Sequence, residues 1–199
     1  MAKLDFIFDF ASPNAYCSYK VLPDILARTG AELNIQPVLL GGLFKITGNQ
    51  PPMAAFGGVK GKLEYEILES ERFIEKHNLT DFKFNEHFPV NTISIIRGLL
   101  AAQELNCEKH YIDVVFSGIW EQNLKMDDPE VIAKVWTEGG LDTAAILTLI
   151  QTDAIKEKLK VNTQAAVDRG AFGIPTFFVG DEMFFGKDRL GQVEEALMK

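Results

Sequence analysis

The sequence has few cysteines and no excess of positive charge. Two of its 199 residues are cysteine, Cys17 and Cys107, and they do not form a C-x-x-C pair. Neither a disulfide framework nor a dithiol redox motif is therefore indicated. The formal net charge is −8, and no basic stripe is present that could displace counterions from phosphates. We expect no nucleic-acid or membrane partner, and take a small molecule as the default.

Long apolar runs and metal-ligand spacings are also missing. No stretch approaches the ~20 apolar residues of a membrane-spanning helix. The opening MAKLDFIFDF lacks the apolar segment and small-residue cleavage site of a signal peptide. We therefore predict a cytoplasmic protein whose cysteines stay reduced. The three histidines share no ligand spacing, so we expect no metal site.

The first forty residues carry a strand, a helix and a second strand. Apolar residues alternate with polar ones over residues 3–10 and again over residues 32–40, which predicts two strands. Between them, apolar residues at helical spacing end at Gly30. A βαβ unit of this kind predicts parallel strands, and Pro37 predicts an edge or irregular position for the second one.

The rest of the chain is helical until its last quarter. Residues 41–61 are rich in glycine and proline and predict a long loop, whereas residues 60–170 carry helical patterns. IPTFFV and MFFG, separated by Gly180 and Asp181, predict a β-hairpin. A helix over residues 188–199 closes the chain.

This order predicts an α/β protein with a thioredoxin-like fold and an inserted all-helical domain. The thioredoxin-like domain is expected in two halves, residues 1–48 and 171–199. Residues 49–170 form the expected helical insertion.

The Ser12-Pro13 turn is the first candidate for chemistry. Ser12 and Ala15 stand where a thioredoxin-like oxidoreductase carries the cysteines of a C-P-x-C motif, so disulfide exchange cannot run there. A helix N-terminus with a partial positive charge and a hydroxyl donor remains. These groups could lower the pKa of an external thiol from about 8.5 towards neutrality. The alternative is that Ser12 is only the N-cap of a helix.

Two motifs carry a resemblance to a known family. FDFASPNAY and GAFGIPTFFVGDEMFFGKDRL resemble segments of the 2-hydroxychromene-2-carboxylate isomerases, relatives of the kappa-class glutathione transferases in the DsbA-like thioredoxin superfamily. TGNQPP and FPVNTISIIRGLLAA extend the likeness over nearly the whole chain. The resemblance implies glutathione as cofactor, a homodimer, and a serine, here Ser12, that faces the glutathione sulfur.

The resemblance also implies residues that bind glutathione. Ile174 would pair through its backbone with the cysteinyl part of glutathione, before a cis-proline at Pro175. Asp188 and the backbone of Lys187 would hold the γ-glutamyl end. Relatives more often carry serine or asparagine before this aspartate, so the Lys187 side chain departs from the pattern.

Three further residues have open alternatives. Asn49 matches a polar residue that relatives use near the sulfur or substrate, or it only forms a turn. Lys62 could receive a carboxylate from cofactor or substrate, or lie on a solvated helix face. Cys17 is expected in the core, with a redox-sensing role as the alternative.

The leading functional hypothesis is a glutathione-dependent isomerase that interconverts 2-hydroxychromene-2-carboxylate and trans-o-hydroxybenzylidenepyruvate. The first alternative is a kappa-like glutathione transferase or peroxidase acting on other electrophilic, aromatic substrates. A more distant alternative is a non-catalytic thioredoxin-fold module that binds peptides. We reject a DsbA-like disulfide oxidoreductase, because the active-site cysteines are missing.

Overall fold

A computed structural model describes residues 2–199, so residue 1 of the predicted first domain lies outside it. In that range the strands are β1 (Lys3–Phe8), β2 (Glu32–Pro37), β3 (Thr176–Val179) and β4 (Glu182–Phe185). They form one mixed sheet in the order β2–β1–β3–β4. The β1–β2 pair is parallel, and the β1–β3 and β3–β4 pairs are antiparallel. The predicted parallel pair, the hairpin and the edge position of the strand that contains Pro37 are confirmed.

The helices occupy most of the remaining chain. Those of the described residues are α1 (Pro13–Thr29), α2 (Leu40–Thr47), α3 (Pro52–Phe56), α4 (Lys62–Lys76), α5 (Ile93–Glu104), α6 (Glu108–Trp120), α7 (Pro129–Glu138), α8 (Thr143–Leu149), α9 (Asp153–Asp168) and α10 (Leu190–Leu197). A short 3-10 turn, Lys187–Arg189, precedes α10. The helical pattern predicted over residues 60–170 is confirmed by α4 to α9. Within residues 2–199, every helix is too short or too polar to span a membrane.

The long loop predicted over residues 41–61 is wrong, because α2 and α3 lie there. The glycines at the start of α2 allow a close approach to another helix. A Cβ on Gly42 would lie 3.1 Å from Cγ2 of Thr163 in α9. The neighbouring Leu43 is fully buried. Small residues that indicate a turn in the sequence therefore serve helix packing in the fold.

Both predicted strands of the βαβ unit end earlier than expected. The strand over residues 3–10 stops at Phe8, and the strand over residues 32–40 stops at Pro37. Asp9 accounts for the change of direction, because one of its carboxylate oxygens accepts a hydrogen bond from the backbone N–H of Leu40, the first residue of α2, at 2.7 Å.

One continuous core joins the sheet to the helices. Phe8, the last residue of β1, and Phe10, two residues later, place their rings 5.2 and 5.1 Å from that of Phe116 in α6. The indole N–H of Trp120 donates a hydrogen bond to the carbonyl of Phe10 at 2.9 Å. The architecture is a thioredoxin-like α/β fold with a large helical part, which confirms the predicted fold class. The domain boundaries at residues 48 and 171 stay a prediction.

Candidate active site

Ser12 caps α1 and uses both functions of its hydroxyl. Its Oγ accepts a hydrogen bond from the backbone N–H of Ala15 at 3.2 Å, as an N-cap does. The same Oγ donates to the carbonyl of Ile174 at 3.0 Å. The residue is 5% exposed. As an N-cap the Oγ only accepts a hydrogen bond, so the hydroxyl proton is free to be donated to another group. In this structure that group is the carbonyl of Ile174.

A free backbone donor lies beside this hydroxyl. Pro13 has no N–H, the N–H of Ser12 donates to the carbonyl of Asp9 at 3.4 Å, and the N–H of Ala15 is capped. The backbone N–H of Asn14 makes no hydrogen bond within residues 2–199. Sequence reasoning did not single out Asn14. The feature of the sequence that could have identified Asn14 is the Ser-Pro pair. Proline at the first helical position has no N–H, so the N–H of the next residue is the first available donor.

Asp9 supports the turn from inside the protein, and sequence reasoning treated it only as a strand residue. It is fully buried, and its two carboxylate oxygens accept from the backbone N–H groups of Ala11 at 3.0 Å and of Leu40 at 2.7 Å. Burial raises the pKa of this carboxyl to about 6, and hydrogen bonds from Leu40, Thr92 and Ala11 oppose the shift. The signal available was a carboxylate that stands between Phe8 and Phe10 in the sequence.

The segment before β3 connects several of the predicted residues. The Ile174–Pro175 peptide bond is cis, as the resemblance implies. Asn49 donates from Nδ2 to the carbonyl of Phe172 at 2.8 Å, so it ties the loop between α2 and α3 to this segment. Its Oδ1 also accepts from the backbone N–H of Gln50 at 2.8 Å, which is the turn role considered as the alternative.

The β3–β4 hairpin brings Lys187 and Asp188 back next to the same segment. The N–H of Gly186 donates to the carbonyl of Pro175 at 2.9 Å, which fixes the start of the 3-10 turn next to the proline. The Lys187 side chain is 5% exposed, whereas that of Asp188 is 62% exposed. Lys187 Nζ lies 3.6 Å from Asp188 Oδ1 and 5.4 Å from the centre of the Phe73 ring.

Lys62 contacts a different part of the molecule. Its ammonium pairs with Glu66 one turn further along α4 and lies 5.2 Å from the centre of the Phe56 ring. These contacts belong to α3 and α4 and do not connect it to Ser12. Its role as a carboxylate partner stays a prediction.

The nearest cysteine to Ser12 is a core residue, as expected. Cys17 is 2% exposed, and burial raises the pKa of its thiol to about 11. A thiol of this kind stays protonated and inert near neutral pH. Among residues 2–199, no group of three or more His, Cys, Asp or Glu side chains is placed to hold a metal ion.

The arrangement can stabilise an anion brought to the Ser12 turn. The hydroxyl of Ser12, the N–H of Asn14 and the N-terminus of a 17-residue helix meet there. The carbonyl of Ile174 offers an acceptor for a peptide N–H beside them. The N–H of Asn14 is open to a ligand, whereas the Ser12 hydroxyl becomes available to one when it exchanges its hydrogen bond to the Ile174 carbonyl.

Comparisons with known proteins identify the same family that the sequence motifs resemble. The family model of the DSBA-like thioredoxin domain matches residues 3–198. The 2-hydroxychromene-2-carboxylate isomerase of Pseudomonas sp. (strain C18) is 30% identical over 196 residues, which covers 98% of this chain and 89% of that protein. Glutathione S-transferase kappa 1 of Rattus norvegicus is 29% identical over 197 residues, covering 94% of this chain and 87% of that protein.

A solved structure agrees with these sequence matches. The structure of a 2-hydroxychromene-2-carboxylate isomerase superposes with a TM-score of 0.81 at 28% identity. The match covers 98% of this chain and 94% of the other. The likeness therefore extends over both the sheet and the helices.

Proposed function

This chain belongs to the DSBA-like thioredoxin-domain family, and from that premise we propose that it is a glutathione-dependent isomerase of 2-hydroxychromene-2-carboxylate. The product is trans-o-hydroxybenzylidenepyruvate. The observation that carries the proposal is the Ser12 hydroxyl, which stands at the N-terminus of α1 and within 3.0 Å of the Ile174 carbonyl. A hydroxyl at this position can donate a hydrogen bond to a thiolate from outside the protein, but it cannot itself exchange disulfides.

Different residues of the site bind different parts of the cofactor. Ser12 O–H and Asn14 N–H donate to the sulfur, and the N-terminus of α1 favours its negative charge. Ile174 accepts from a peptide N–H of the cofactor. Asp188, which is exposed, offers a carboxylate to the ammonium of the γ-glutamyl group. Asn49 holds the segment that contains Ile174 in place through the carbonyl of Phe172.

When bound, glutathione would supply a thiolate nucleophile for reversible addition to the unsaturated substrate. The protein's part is to keep that sulfur ionised near neutral pH. A backbone donor and a hydroxyl in a partly buried turn favour the thiolate over the thiol, which lowers its pKa.

The test is an ultraviolet titration of glutathione bound to the protein, with turnover of 2-hydroxychromene-2-carboxylate assayed in parallel. We expect thiolate absorbance to appear well below pH 8.5, the usual pKa of a thiol, together with turnover. Glutathione that fails to bind, or that binds with an ordinary thiol pKa, would contradict the proposal and favour a peptide-binding module.

A kappa-like glutathione transferase is the second candidate, and the 29% identity to the rat transferase favours it. It needs the same activated thiolate, so the titration does not separate the two. Turnover does, because a transferase consumes glutathione in proportion to product whereas an isomerase returns it. A homodimer and a cytoplasmic location stay predictions.

A further inference from the structure

Two hydrogen-bonded routes connect the Ser12 turn to the segment that contains Ile174. The direct route is the hydrogen bond from the Ser12 hydroxyl to the Ile174 carbonyl. The indirect route runs from Asp9 to the start of α2, along α2, and from Asn49 to the same segment. We call this indirect route the α2 connection.

The α2 connection begins at the carboxylate of Asp9. One of its oxygens accepts from the backbone N–H of Ala11, the residue before Ser12, at 3.0 Å. The other accepts from the N–H of Leu40, the first residue of α2, at 2.7 Å. The backbone carbonyl of Asp9 also accepts from the N–H of Ser12 at 3.4 Å. Asp9 therefore joins the turn to α2.

The helix α2 is a rigid link between its two ends. Its eight residues span about 12 Å. Leu43 is fully buried, and the N–H of Leu39 donates to Oγ1 of Thr163 in α9 at 3.0 Å. Just after the helix, the N–H of Asn49 donates to the hydroxyl of Thr47 at 3.3 Å. The position of Asn49 therefore follows that of α2.

The α2 connection ends at the cis-proline segment. Nδ2 of Asn49 donates to the carbonyl of Phe172, two residues before Ile174, at 2.8 Å. The pairing of β3 with β1 begins only at Thr176, whose hydroxyl also donates to the carbonyl of Gly173 at 2.8 Å. Phe172 and Ile174 thus lie outside the sheet pairing, and Asn49 restrains them.

A bound thiolate would leave only the indirect route in place. A hydroxyl has one proton, so Ser12 cannot donate to a thiolate and to the Ile174 carbonyl at the same time. When the direct contact is exchanged for a ligand, the α2 connection still holds the turn relative to that carbonyl. The spacing of the two groups decides whether one peptide can contact both.

We propose that Asp9 is a positioning residue of the thiol site at the Ser12 turn, and that it acts through α2 and Asn49 on the Ile174 carbonyl. The inference rests on the proposed function, because it requires a peptide thiol at this turn. Asp9 is fully buried, so its effect on a ligand passes through these residues. A carboxylate suits the role, because its two oxygens accept from N–H groups of two different segments.

The experiment is a double-mutant cycle with Asp9→Asn and Asn49→Ala, in which calorimetry measures the Kd for glutathione. Asparagine offers one acceptor oxygen in place of two, so Asp9→Asn breaks the α2 connection. Each single variant should raise the Kd several-fold. In the Asp9→Asn background, Asn49→Ala should raise it less than about twofold, because the connection is already broken.

Non-additivity is what distinguishes positioning through α2 from a merely structural role. Residues separated by the length of α2 ordinarily have independent effects. If Asp9 only stabilised the fold, the factor by which Asn49→Ala raises the Kd would be the same in both backgrounds. The charge that Asp9→Asn removes is absent from both members of that comparison and cancels.

Leu40→Pro breaks the α2 connection from its other side and keeps the carboxylate. Proline is tolerated at the first position of a helix. Leu39, the residue before it, has the extended backbone angles that a following proline requires, φ −98° and ψ 112°. The variant removes the N–H that Asp9 accepts, so Asn49→Ala should again have little effect. It keeps the test decisive if Asp9→Asn fails to fold.

Asp142→Ala is the matched control. Oδ1 of Asp142 accepts from the backbone N–H of Ala145 at 3.0 Å at the start of α8, which is not part of the α2 connection. In this background Asn49→Ala should raise the Kd by its full factor.

The proposal is overturned if Asn49→Ala raises the Kd by the same factor in wild type, Asp9→Asn and Leu40→Pro. It is also overturned if Asp9→Asn and Leu40→Pro bind glutathione as tightly as wild type does. If wild type itself does not bind glutathione, the proposed function fails at the thiol, and the inference fails with it.

Discussion

The hydroxyl of Ser12 donates a hydrogen bond to the carbonyl of Ile174 across 162 residues of sequence, at 3.0 Å. A hydroxyl has one proton, so donation to a bound thiolate requires that Ser12 release Ile174. The released carbonyl can then accept from the N–H of a bound peptide. The Ser12 hydroxyl and the Ile174 carbonyl therefore already lie where both can bind a peptide that carries a cysteinyl thiolate.

The first prediction concerns Ser12→Ala. Loss of one donor to the sulfur should raise the pKa of the bound glutathione thiol by about one unit or more and lower kcat about a hundredfold. Thiolate absorbance against pH measures the first effect, and isomerase turnover measures the second. An unchanged thiol pKa in the variant would remove Ser12 from the proposed role.

Thr152→Ala separates this effect from the loss of a helix cap. Thr152 caps α9 as Ser12 caps α1, because its Oγ1 accepts from the backbone N–H of Ile155 at 3.3 Å. Either substitution should lower the free energy of unfolding by about 1 kcal/mol. Only Ser12→Ala should shift the thiol pKa.

The second prediction concerns Asn49→Ala. The variant loses the hydrogen bond from Nδ2 to the carbonyl of Phe172, so the segment that carries Ile174 is held less firmly. We expect the Kd for glutathione to rise several-fold, about what one hydrogen bond contributes. Gln50→Ala is the control, because Gln50 is exposed and only its backbone takes part in the turn. Equal Kd values in the two variants would assign Asn49 to the turn alone.

The third prediction concerns the pH dependence of stability and Asp9. Burial raises the pKa of this carboxyl from 3.8 to about 6. Between these values the folded protein binds more protons than the unfolded chain, so raising the pH lowers the free energy of unfolding. This contribution to the free energy of unfolding is fully present below pH 3.8, and it is lost as the pH rises above about 6.

Asp9→Asn does not titrate, so the pH-dependent part disappears in the variant. The free energy of unfolding of wild type minus that of Asp9→Asn should fall by about 2 kcal/mol between about pH 4.5 and about pH 7. Urea unfolding at the two pH values measures this difference. A constant difference between the two proteins would show that Asp9 does not titrate in this range.

The fourth prediction concerns two glycines in helices. A Cβ on Gly98 of α5 would lie 2.0 Å from Oη of Tyr111 and 3.0 Å from the ring of Trp136. Both rings are fully buried and cannot move away. Gly98→Ala should therefore lower the free energy of unfolding by about 3 kcal/mol.

Gly191→Ala is the matched substitution in α10. A Cβ there meets no heavy atom within 4 Å, so alanine should stabilise the helix by roughly 0.5–1 kcal/mol. Urea unfolding of the two variants should give effects of opposite sign. A similar gain in both would mean that helix propensity, not the close approach of α5 to Tyr111, decides the result.

Some parts of the fold followed from local patterns, and others did not. Period-two alternation located β1 and β2, and Gly180-Asp181 located the hairpin, because both depend on neighbouring residues. The pattern around Gly42 was misinterpreted, since a glycine needed for contact with Thr163 looks the same in sequence as one needed for a turn. Ser12 was named from the motif and the resemblance, Ile174 and Asp188 from the resemblance, and the roles of all three in binding stay predictions.

The sequence by itself determined that disulfide exchange is excluded at the Ser12 turn, because chemistry of that kind requires cysteines that are not there. It also determined the capped helix that begins after Ser12. The tertiary structure decided what the hydroxyl donates to and that Asp9 and Lys187 are buried. Hydrogen bonding and burial of these groups depend on residues from distant parts of the chain, such as Ile174, which only folding brings close to them.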